Sequence, residues 1–443
     1  MKKILILGAG MVAKPIADYL LNKNFKVTMA SRTKSKAQAI ITGHKNGTAV
    51  AWTMNELDKL DELIADHDLI VSLLPYENHV RVASFCIRHN KNMVTTSYVS
   101  EEMKALDGEA KNAGILLLNE IGVDPGFDHM TAMRIINKVH ESDGKVKELY
   151  SLCGALPAPE EVDNPLGYKF SWSPRGVLKA SNNGATYRKN RQIVEIPTED
   201  LFKTPLRIDF PEIGKLEVYP NRDSLIYSEL YHLQEADTVF RGTFRYPHWC
   251  ESLDVLKSLG LLSDEVQNFE DKSYKKIVAE KIGVYPKNVK EKVAEKLDAE
   301  LNDPAIIALD WLGYFDNDLI KIKEGSTFDL TADLMMQKMM LPENGRDMVV
   351  MYHSFLVENQ NGEQEVIQSR MVDFATEEYT SISRTVALPA AIAAKLILEE
   401  KIDLKGVQIP VKKSIYEPVL EELEKLGISM EEEWGLPKSK KLN

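Results

Sequence analysis

The first twenty residues, MKKILILGAGMVAKPIADYL, constrain the possible folds more than any other part of this 443-residue chain. Ile4–Leu7 is a short apolar run, typical of a strand buried on both faces. The segment Gly8–Ala13 follows directly and matches the pattern G-x-G-x-x-[G/A], and apolar residues at helical spacing come after it. Because the glycines stand between a strand and a helix, we predict a dinucleotide-binding βα unit. The alternative is an ordinary tight turn with no ligand.

The residue types at three positions of this loop have a physical explanation. Gly8 permits the tight turn, Gly10 lets a pyrophosphate approach the backbone, and Ala13 lets the helix pack close to the strand. The free N–H groups and the dipole of the helix then face the phosphates. We therefore expect cofactor contacts at Gly8, Gly10, Met11, Val12 and Ala13.

The end of the second strand indicates which dinucleotide is bound. Phe25–Ala30 reads as a strand and is followed by Ser31, Arg32 and Thr33. In such folds an acidic residue here would hold the 2′-hydroxyl of NAD, whereas an arginine accommodates the 2′-phosphate of NADP. This sequence has no acid at that point, so we predict NADP rather than NAD, with contacts from Ser31, Arg32 and Thr33. The alternative for Arg32 is a solvated surface charge.

Strands alternate with helices as far as Glu120, which predicts a parallel, doubly wound sheet. Ligands of such sheets bind at the carboxyl ends of the strands. The further cofactor contacts expected at these ends are Ser72, Leu74, Pro75 and Thr96.

The periodicity changes from Lys145 onward. Strand-like segments include Lys145–Leu156, Leu206–Tyr219 and Asp237–Tyr246, and a hairpin is predicted around Asn361-Gly362. These segments predict a mixed, mostly antiparallel sheet. The part between Glu251 and about Pro342 is helix-like throughout, which indicates an all-helical insertion.

Three domains are predicted from these changes. A small-residue helix at Ala387–Leu396 suits a segment that returns to cover the first domain. The predicted domains are a Rossmann domain (1–123 with about 386–443), a mixed α/β substrate domain (124–250 with about 343–385) and a helical domain (251–342).

Charge and cysteine content exclude several classes of function. The formal net charge is −12, which argues against nucleic acid or an anionic membrane surface as a partner. Cys86, Cys153 and Cys250 are far apart and odd in number, so neither a disulfide framework nor a metal site is indicated.

No apolar run approaches the roughly 18 residues of a membrane span, and the first run stops at Gly8, too early for a signal peptide. We predict a cytoplasmic protein.

Several separated stretches resemble the saccharopine dehydrogenase family, most closely its L-glutamate-forming branch. They occur in the same order and cover most of the chain. Besides the opening GAGMVA, they are Thr95–Ser100 (TTSYVS), Gly122–His129 (GVDPGFDH), Cys153–Pro159 (CGALPAP), Tyr168–Pro174 (YKFSWSP), Tyr219–Ser224 (YPNRDS) and Arg241–Tyr246 (RGTFRY).

The resemblance implies an α/β protein: a Rossmann domain completed by C-terminal elements, plus a mixed α/β sheet domain carrying an all-helical insertion. It implies reversible oxidation of saccharopine to L-glutamate and 2-aminoadipate 6-semialdehyde, NADP as cofactor, and a homodimer. Substrate contacts are expected, by the same resemblance, at Ser97, Tyr98, Asp124, Arg222, Thr243 and Arg245. Further cofactor contacts are expected at Val123, Asp124 and Trp172.

The chemistry of a secondary amine with three carboxylates suits these residues. Guanidinium groups bind carboxylates bidentately, which favours Arg222 and Arg245 for that role. The proton carriers expected are Asp124, Tyr98 and, third, Cys153. Each has an alternative: a turn carboxylate, a packed tyrosine and a buried structural thiol. A neutral amine could also lose its proton directly to solvent.

The sequence is also compatible with two other functions. Carboxynorspermidine dehydrogenases share the expected architecture and C–N chemistry, but their polyamine substrates need fewer cations than a tricarboxylate does. The second alternative is a non-catalytic NADP-binding sensor or scaffold.

Overall fold

A computed structural model describes residues 1–442 of the chain. These residues form two compact units. The first contains Met1–Val146 and Leu356–Lys441, and the second contains Lys147–Phe355.

Strands and helices alternate over the first 120 residues, as the hydrophobic periodicity predicts. The strands are β1 (Lys3–Leu7), β2 (Lys26–Ser31), β3 (Gly47–Ala51), β4 (Leu69–Ser72), β5 (Asn92–Val94), β6 (Leu116–Leu118), β7 (Lys145–Pro157), β8 (Ala185–Lys189), β9 (Gln192–Ile196), β10 (Leu206–Phe210), β11 (Gly214–Pro220), β12 (Thr238–Arg245), β13 (Val266–Asn268), β14 (Glu324–Ser326), β15 (Asp347–Glu358), β16 (Gln364–Phe374), β17 (Gly406–Gln408) and β18 (Glu431–Leu436). The α-helices are α1 (Ala13–Asn22), α2 (Lys34–Ile41), α3 (Leu57–Ala65), α4 (His79–Arg88), α5 (Glu101–Ala105), α6 (Asp107–Asn112), α7 (Phe127–Glu141), α8 (Pro174–Ala180), α9 (Ile226–Leu230), α10 (Trp249–Ser258), α11 (Tyr274–Ile282), α12 (Val289–Leu297), α13 (Pro304–Leu312), α14 (Thr327–Lys338), α15 (Ser381–Leu398) and α16 (Lys413–Lys425).

The first unit is built on a parallel sheet with the strand order β17-β6-β5-β4-β1-β2-β3. The central strand β1 has Ile4–Leu7 fully buried, as expected of a strand covered on both faces. β17, from near the end of the chain, pairs in parallel with β6. The predicted Rossmann fold and its completion by C-terminal elements are thus confirmed.

Helix α15 is the one helix of residues 1–442 that passes a test for a membrane span. Its 18 residues are long and apolar enough to cross a membrane, judged by length and composition alone. The small-residue helix predicted at Ala387–Leu396 forms part of it. About 67% of the helix is buried, and it packs on α1 in the first unit through fully buried alanines such as Ala390 and Ala394. Buried core helices commonly have this composition.

The second unit contains a mixed sheet in which β10, β11, β12, β7 and β15 are neighbours in that order. β12 runs antiparallel to β11 and parallel to β7, so the sheet is mixed, as predicted. Helices α10–α14 occupy the predicted helical stretch. This stretch also contains a two-stranded ribbon of β13 and β14, which its helical periodicity did not indicate.

The compact units have different bounds from the predicted domains. α7 belongs to the first unit, where Asn137 donates a hydrogen bond to the Tyr416 hydroxyl of α16 at 2.7 Å. The first unit therefore includes α7 and continues to Val146. The finer division into three domains remains a prediction.

Candidate active site

The loop between β1 and α1 has the geometry of a phosphate-binding turn. Gly8 has φ +114°, and a Cβ there would lie 3.0 Å from the Leu73 carbonyl oxygen. At Gly10 a Cβ would meet nothing within 4 Å, so open space borders the backbone. α1 begins at Ala13 with no side-chain cap and no acidic residue in its first turn. The Ala13 N–H donates to the Gly10 carbonyl at 3.1 Å, and the positive end of the α1 dipole faces an anion bound in this loop.

The end of β2 presents cations without a competing carboxylate. Arg32 is exposed and forms no ion pair within residues 1–442. The Thr33 N–H donates to the Ser31 hydroxyl at 3.3 Å, which shapes the turn. α2 then begins at Lys34, again with no acid in its first turn. These groups fit the 2′-phosphate of NADP better than a free 2′-hydroxyl.

The predicted cofactor residues of the first unit lie at the carboxyl ends of neighbouring strands. Ser31 ends β2 and Ser72 ends β4, and these two strands flank β1. Thr96 lies two residues after β5, which is next to β4. Leu74, Pro75 and Val123 follow strand ends in the same sheet.

A buried histidine that sequence reasoning missed links two of these strand ends. His79, at the start of α4, has its Nδ1 2.9 Å from the Ser72 hydroxyl and its Nε2 2.8 Å from the Ser97 hydroxyl. Burial lowers the pKa of the His79 imidazole to about 4. A neutral imidazole offers one donor and one acceptor, which suits two hydroxyl partners. Nothing in the sequence signals this contact, because Ser97 is 18 residues away from His79.

The lowered pKa of His79 predicts a loss of stability in acid. Between about pH 6.5 and pH 4 the unfolded chain binds a proton that the folded chain does not, so the free energy of unfolding falls as pH decreases through this window. The contribution amounts to about 2 kcal/mol between pH 7 and pH 5. Urea unfolding of the wild type and of His79→Gln at both pH values checks this: the stability difference between them should shrink at pH 5. A difference independent of pH would contradict the assignment.

Tyr98 and Asp124, two of the predicted proton carriers, are brought together in the first unit. The Tyr98 hydroxyl donates to Asp124 Oδ1 at 3.2 Å, and Tyr98 is 37% exposed. Asp124 lies in a turn that leads into α7, with Gly126 at φ +144°. The Gly126 N–H donates to Asp128 Oδ1 at 2.6 Å and thereby fixes the end of the turn.

In the second unit, two further predicted residues are direct neighbours in the sheet. Cys153 on β7 pairs in register with Thr243 on β12, and Thr243 pairs with Tyr219 on β11. Cys153 is buried, at 8% exposed. The three side chains therefore share one face of adjacent strands.

Arg245 lies in the interior of the second unit. It is 3% exposed, and its guanidinium carbon is 4.9 Å, 5.5 Å and 5.2 Å from the ring centroids of Tyr168, Tyr219 and Trp249. It donates to the Phe244 carbonyl at 2.7 Å and to the Tyr219 hydroxyl at 3.3 Å. This aromatic enclosure stabilises the cation through the ring faces.

Arg222, in contrast, is exposed and borders an open cleft of about 530 Å³. Lys179, Asn183 and Thr186 also line this cleft, which thus carries two cationic side chains. The predicted residue Trp172 and two other arginines of the second unit have partners elsewhere. Trp172 donates to the Tyr168 hydroxyl at 3.2 Å, Arg175 pairs with Asp329 at 2.8 Å, and Arg241 donates to the Tyr227 hydroxyl at 2.6 Å.

Comparison with protein families accounts for nearly the whole chain. Residues 4–118 match the saccharopine dehydrogenase NADP binding domain, and residues 122–428 match the saccharopine dehydrogenase C-terminal domain. The chain belongs to the saccharopine dehydrogenase family.

Relatives within this family are similar over nearly the whole of this chain. The saccharopine dehydrogenase [NADP(+), L-glutamate-forming] of Pyricularia oryzae is 37% identical over 97% of this chain and 98% of its own. The mitochondrial alpha-aminoadipic semialdehyde synthase of Rattus norvegicus is 34% identical over 96% of this chain, which matches 47% of that longer protein. The apo structure of saccharopine dehydrogenase (L-Glu forming) from Saccharomyces cerevisiae superposes with a TM-score of 0.91 at 36% identity, over 98% of this chain and 100% of its own.

These findings confirm the predicted family and the predicted NADP cofactor. The roles of individual site residues remain predictions, since the comparisons identify domains and whole chains.

Proposed function

We propose that this chain catalyses the reversible, NADP-linked oxidation of saccharopine to L-glutamate and 2-aminoadipate 6-semialdehyde. The observation that carries the proposal is the full-length similarity to L-glutamate-forming saccharopine dehydrogenases, at 37% identity over 97% of the chain. The phosphate-binding turn and the Tyr98–Asp124 pair supply the groups that this chemistry needs.

The reaction cleaves one C–N bond of a secondary amine. Bound NADP would accept the hydride that leaves the side-chain carbon next to the saccharopine nitrogen. The resulting imine takes up water, and the C–N bond then breaks to give glutamate and the aldehyde. The amine must lose a proton before oxidation, and water must lose one as it adds, so a proton carrier beside the nitrogen accelerates both steps.

Asp124 and Tyr98 are the groups we assign to this proton transfer. Their hydrogen bond of 3.2 Å lets a proton pass between the carboxylate and the phenol, and both groups remain partly exposed. Cys153 is the third candidate. Its burial resembles that of an ordinary structural thiol, which ranks it below the other two.

The substrate carboxylates need cations and hydroxyl donors. We assign Arg222 to one substrate carboxylate, because Arg222 borders an open cleft. We assign Ser97 and Thr243 as hydroxyl donors to the substrate. Arg245, enclosed by aromatic rings, contributes positive charge from beneath the surface of its unit.

Replacing Arg222 with methionine should raise the KM for saccharopine by about 10- to 150-fold. The reason is the loss of a charge-assisted contact worth about 1.5–3 kcal/mol. The Kd for NADPH, followed by nucleotide fluorescence, should change less than about threefold. Arg175→Met is the matched control, because Arg175 is exposed but already paired with Asp329. An equal rise in KM for both variants would contradict the assignment of Arg222.

The cofactor assignment includes all of the contacts predicted from the sequence. We assign the phosphates to the loop after β1 and the 2′-phosphate to the turn after β2, with the other predicted contacts at the following strand ends. These residues are Gly8, Gly10, Met11, Val12, Ala13, Ser31, Arg32, Thr33, Ser72, Leu74, Pro75, Thr96, Val123, Asp124 and Trp172.

We also propose a cytoplasmic homodimer. Cys86, Cys153 and Cys250 are buried and none of them forms a disulfide within residues 1–442, which fits a reducing compartment. Sedimentation equilibrium of the purified chain tests the dimer: a mass near 100 kDa supports it, and a mass near the 50.0 kDa of one chain contradicts it.

Initial-rate assays test the proposed function. Purified protein is given saccharopine with NADP or NAD, and absorbance is followed at the reduced-nicotinamide band. We expect turnover with saccharopine and a much higher kcat/KM for NADP than for NAD. Turnover with carboxynorspermidine and none with saccharopine would indicate the polyamine activity. Tight NADP binding without turnover of either substrate would indicate a sensor or scaffold.

A further inference from the structure

We propose that Glu120, held by His129, is a positioning residue that fixes Tyr98 against Asp124. The inference rests on the proposed function, since it assumes that Tyr98 takes part in the reaction. All four residues belong to the first unit.

Glu120 contacts the backbone on both sides of Tyr98. Its own N–H donates to the Ser97 carbonyl at 3.1 Å, and its Oε1 accepts from the Val99 N–H at 2.9 Å. Tyr98 is the single residue between these two anchor points. One glutamate therefore fixes the backbone from which the Tyr98 side chain projects.

The conformation of Glu120 itself is unusual. Its φ is +56°, in the left-handed region that glycine and asparagine normally occupy. Such strain persists only where the surroundings enforce it, and it concentrates at functional sites. Here the two hydrogen bonds to Ser97 and Val99 offset the strain.

His129 holds the other oxygen of the same carboxylate. Its Nε2 lies 2.8 Å from Glu120 Oε2, His129 is fully buried and Glu120 is 5% exposed. A buried carboxylate is costly unless its oxygens accept hydrogen bonds, and here both oxygens do so. His129 lies in the first turn of α7, which follows the turn containing Asp124. The Glu120–His129 pair thus joins the Tyr98 segment to the helix that follows Asp124.

Amide hydrogen exchange tests the positioning independently of catalysis. In the full-length protein, Glu120→Ala should accelerate exchange in peptides covering residues 96–100 by at least 10-fold. Glu120→Gln keeps an Oε1 acceptor for Val99 and should stay within about threefold of wild type. Glu422→Gln is the control, since Glu422 is a partly buried carboxylate of the same unit that binds Lys395; it should leave this segment unchanged. Unchanged exchange in Glu120→Ala would overturn the proposal.

Kinetics then connect the position of Tyr98 to the reaction. Glu120→Ala should lower kcat for saccharopine at least 10-fold with less than a threefold change in the Kd for NADPH, and Glu120→Gln should restore most of kcat. In a Tyr98→Phe background, Glu120→Ala should cost less than twofold, because the group it positions is already absent. An equal loss in both backgrounds would overturn the proposal.

The outcomes separate this inference from the function on which it rests. If exchange accelerates while Tyr98→Phe and Glu120→Ala both keep full kcat, Glu120 positions Tyr98 but the proposed role of Tyr98 is wrong. Should Glu120→Ala fail to fold, His129→Leu removes the donor to Oε2 and should accelerate exchange in residues 96–100 in the same direction. Unchanged amide exchange in His129→Leu would show that the Glu120–His129 pair does not hold the Tyr98 segment.

Discussion

Replacing Asp124 with asparagine should lower kcat for saccharopine oxidation by about 100- to 10,000-fold, the range typical of a lost general acid or base. The asparagine side chain can still accept the hydrogen bond from the Tyr98 hydroxyl at the position of Oδ1. It cannot take up a proton, so the effect isolates proton transfer from positioning. Steady-state kinetics with saturating NADP measure the loss.

Controls separate this effect from a general loss of fold. The Kd for NADPH of Asp124→Asn should stay within about threefold of wild type. Asp66→Asn removes a carboxylate at the surface, where Asp66 pairs with Lys3, and should leave kcat unchanged. A loss below threefold in Asp124→Asn would show that Asp124 does not carry the proton.

Replacing Arg32 with alanine should weaken NADP binding by about 10- to 150-fold and leave NAD binding nearly unchanged. The expected loss of about 1.5–3 kcal/mol is that of one charge-assisted hydrogen bond. It applies only to NADP, because NAD has no 2′-phosphate at this position. Nucleotide fluorescence titrations with NADPH and NADH measure both affinities.

Arg88→Ala is the matched control for the cofactor experiment. Arg88 is an exposed arginine of the same unit, paired with Asp61 at 2.9 Å, and it lies at the carboxyl end of α4. Its removal should change neither affinity. Equal weakening of NADP and NAD in Arg32→Ala would show that Arg32 does not recognise the 2′-phosphate.

Turns and strand ends that depend only on residues adjacent in the sequence could be predicted. The turn Gly8–Ala13 and the end of β2 at Ser31 depend on neighbouring residues, and both have the expected geometry. The parallel sheet followed from the alternation of strands and helices. Its completion by C-terminal elements was expected from the small-residue helix at Ala387–Leu396 and from the resemblance to a known family.

Features set by contacts between distant residues could not be predicted. His79 meets Ser97, and Glu120 meets Val99, only because parallel strands bring their carboxyl ends to one edge. The burial of Arg245 among aromatic rings likewise depends on packing across strands.

Product analysis tests the central claim most directly. Saccharopine has two oxidisable carbons beside its nitrogen, and the choice between them decides which products form. Purified enzyme with saccharopine and NADP should yield L-glutamate, 2-aminoadipate 6-semialdehyde and NADPH in equal amounts, quantified by mass spectrometry and absorbance. Formation of lysine with 2-oxoglutarate, or of no product at all, would show that the chain does not catalyse the proposed oxidation.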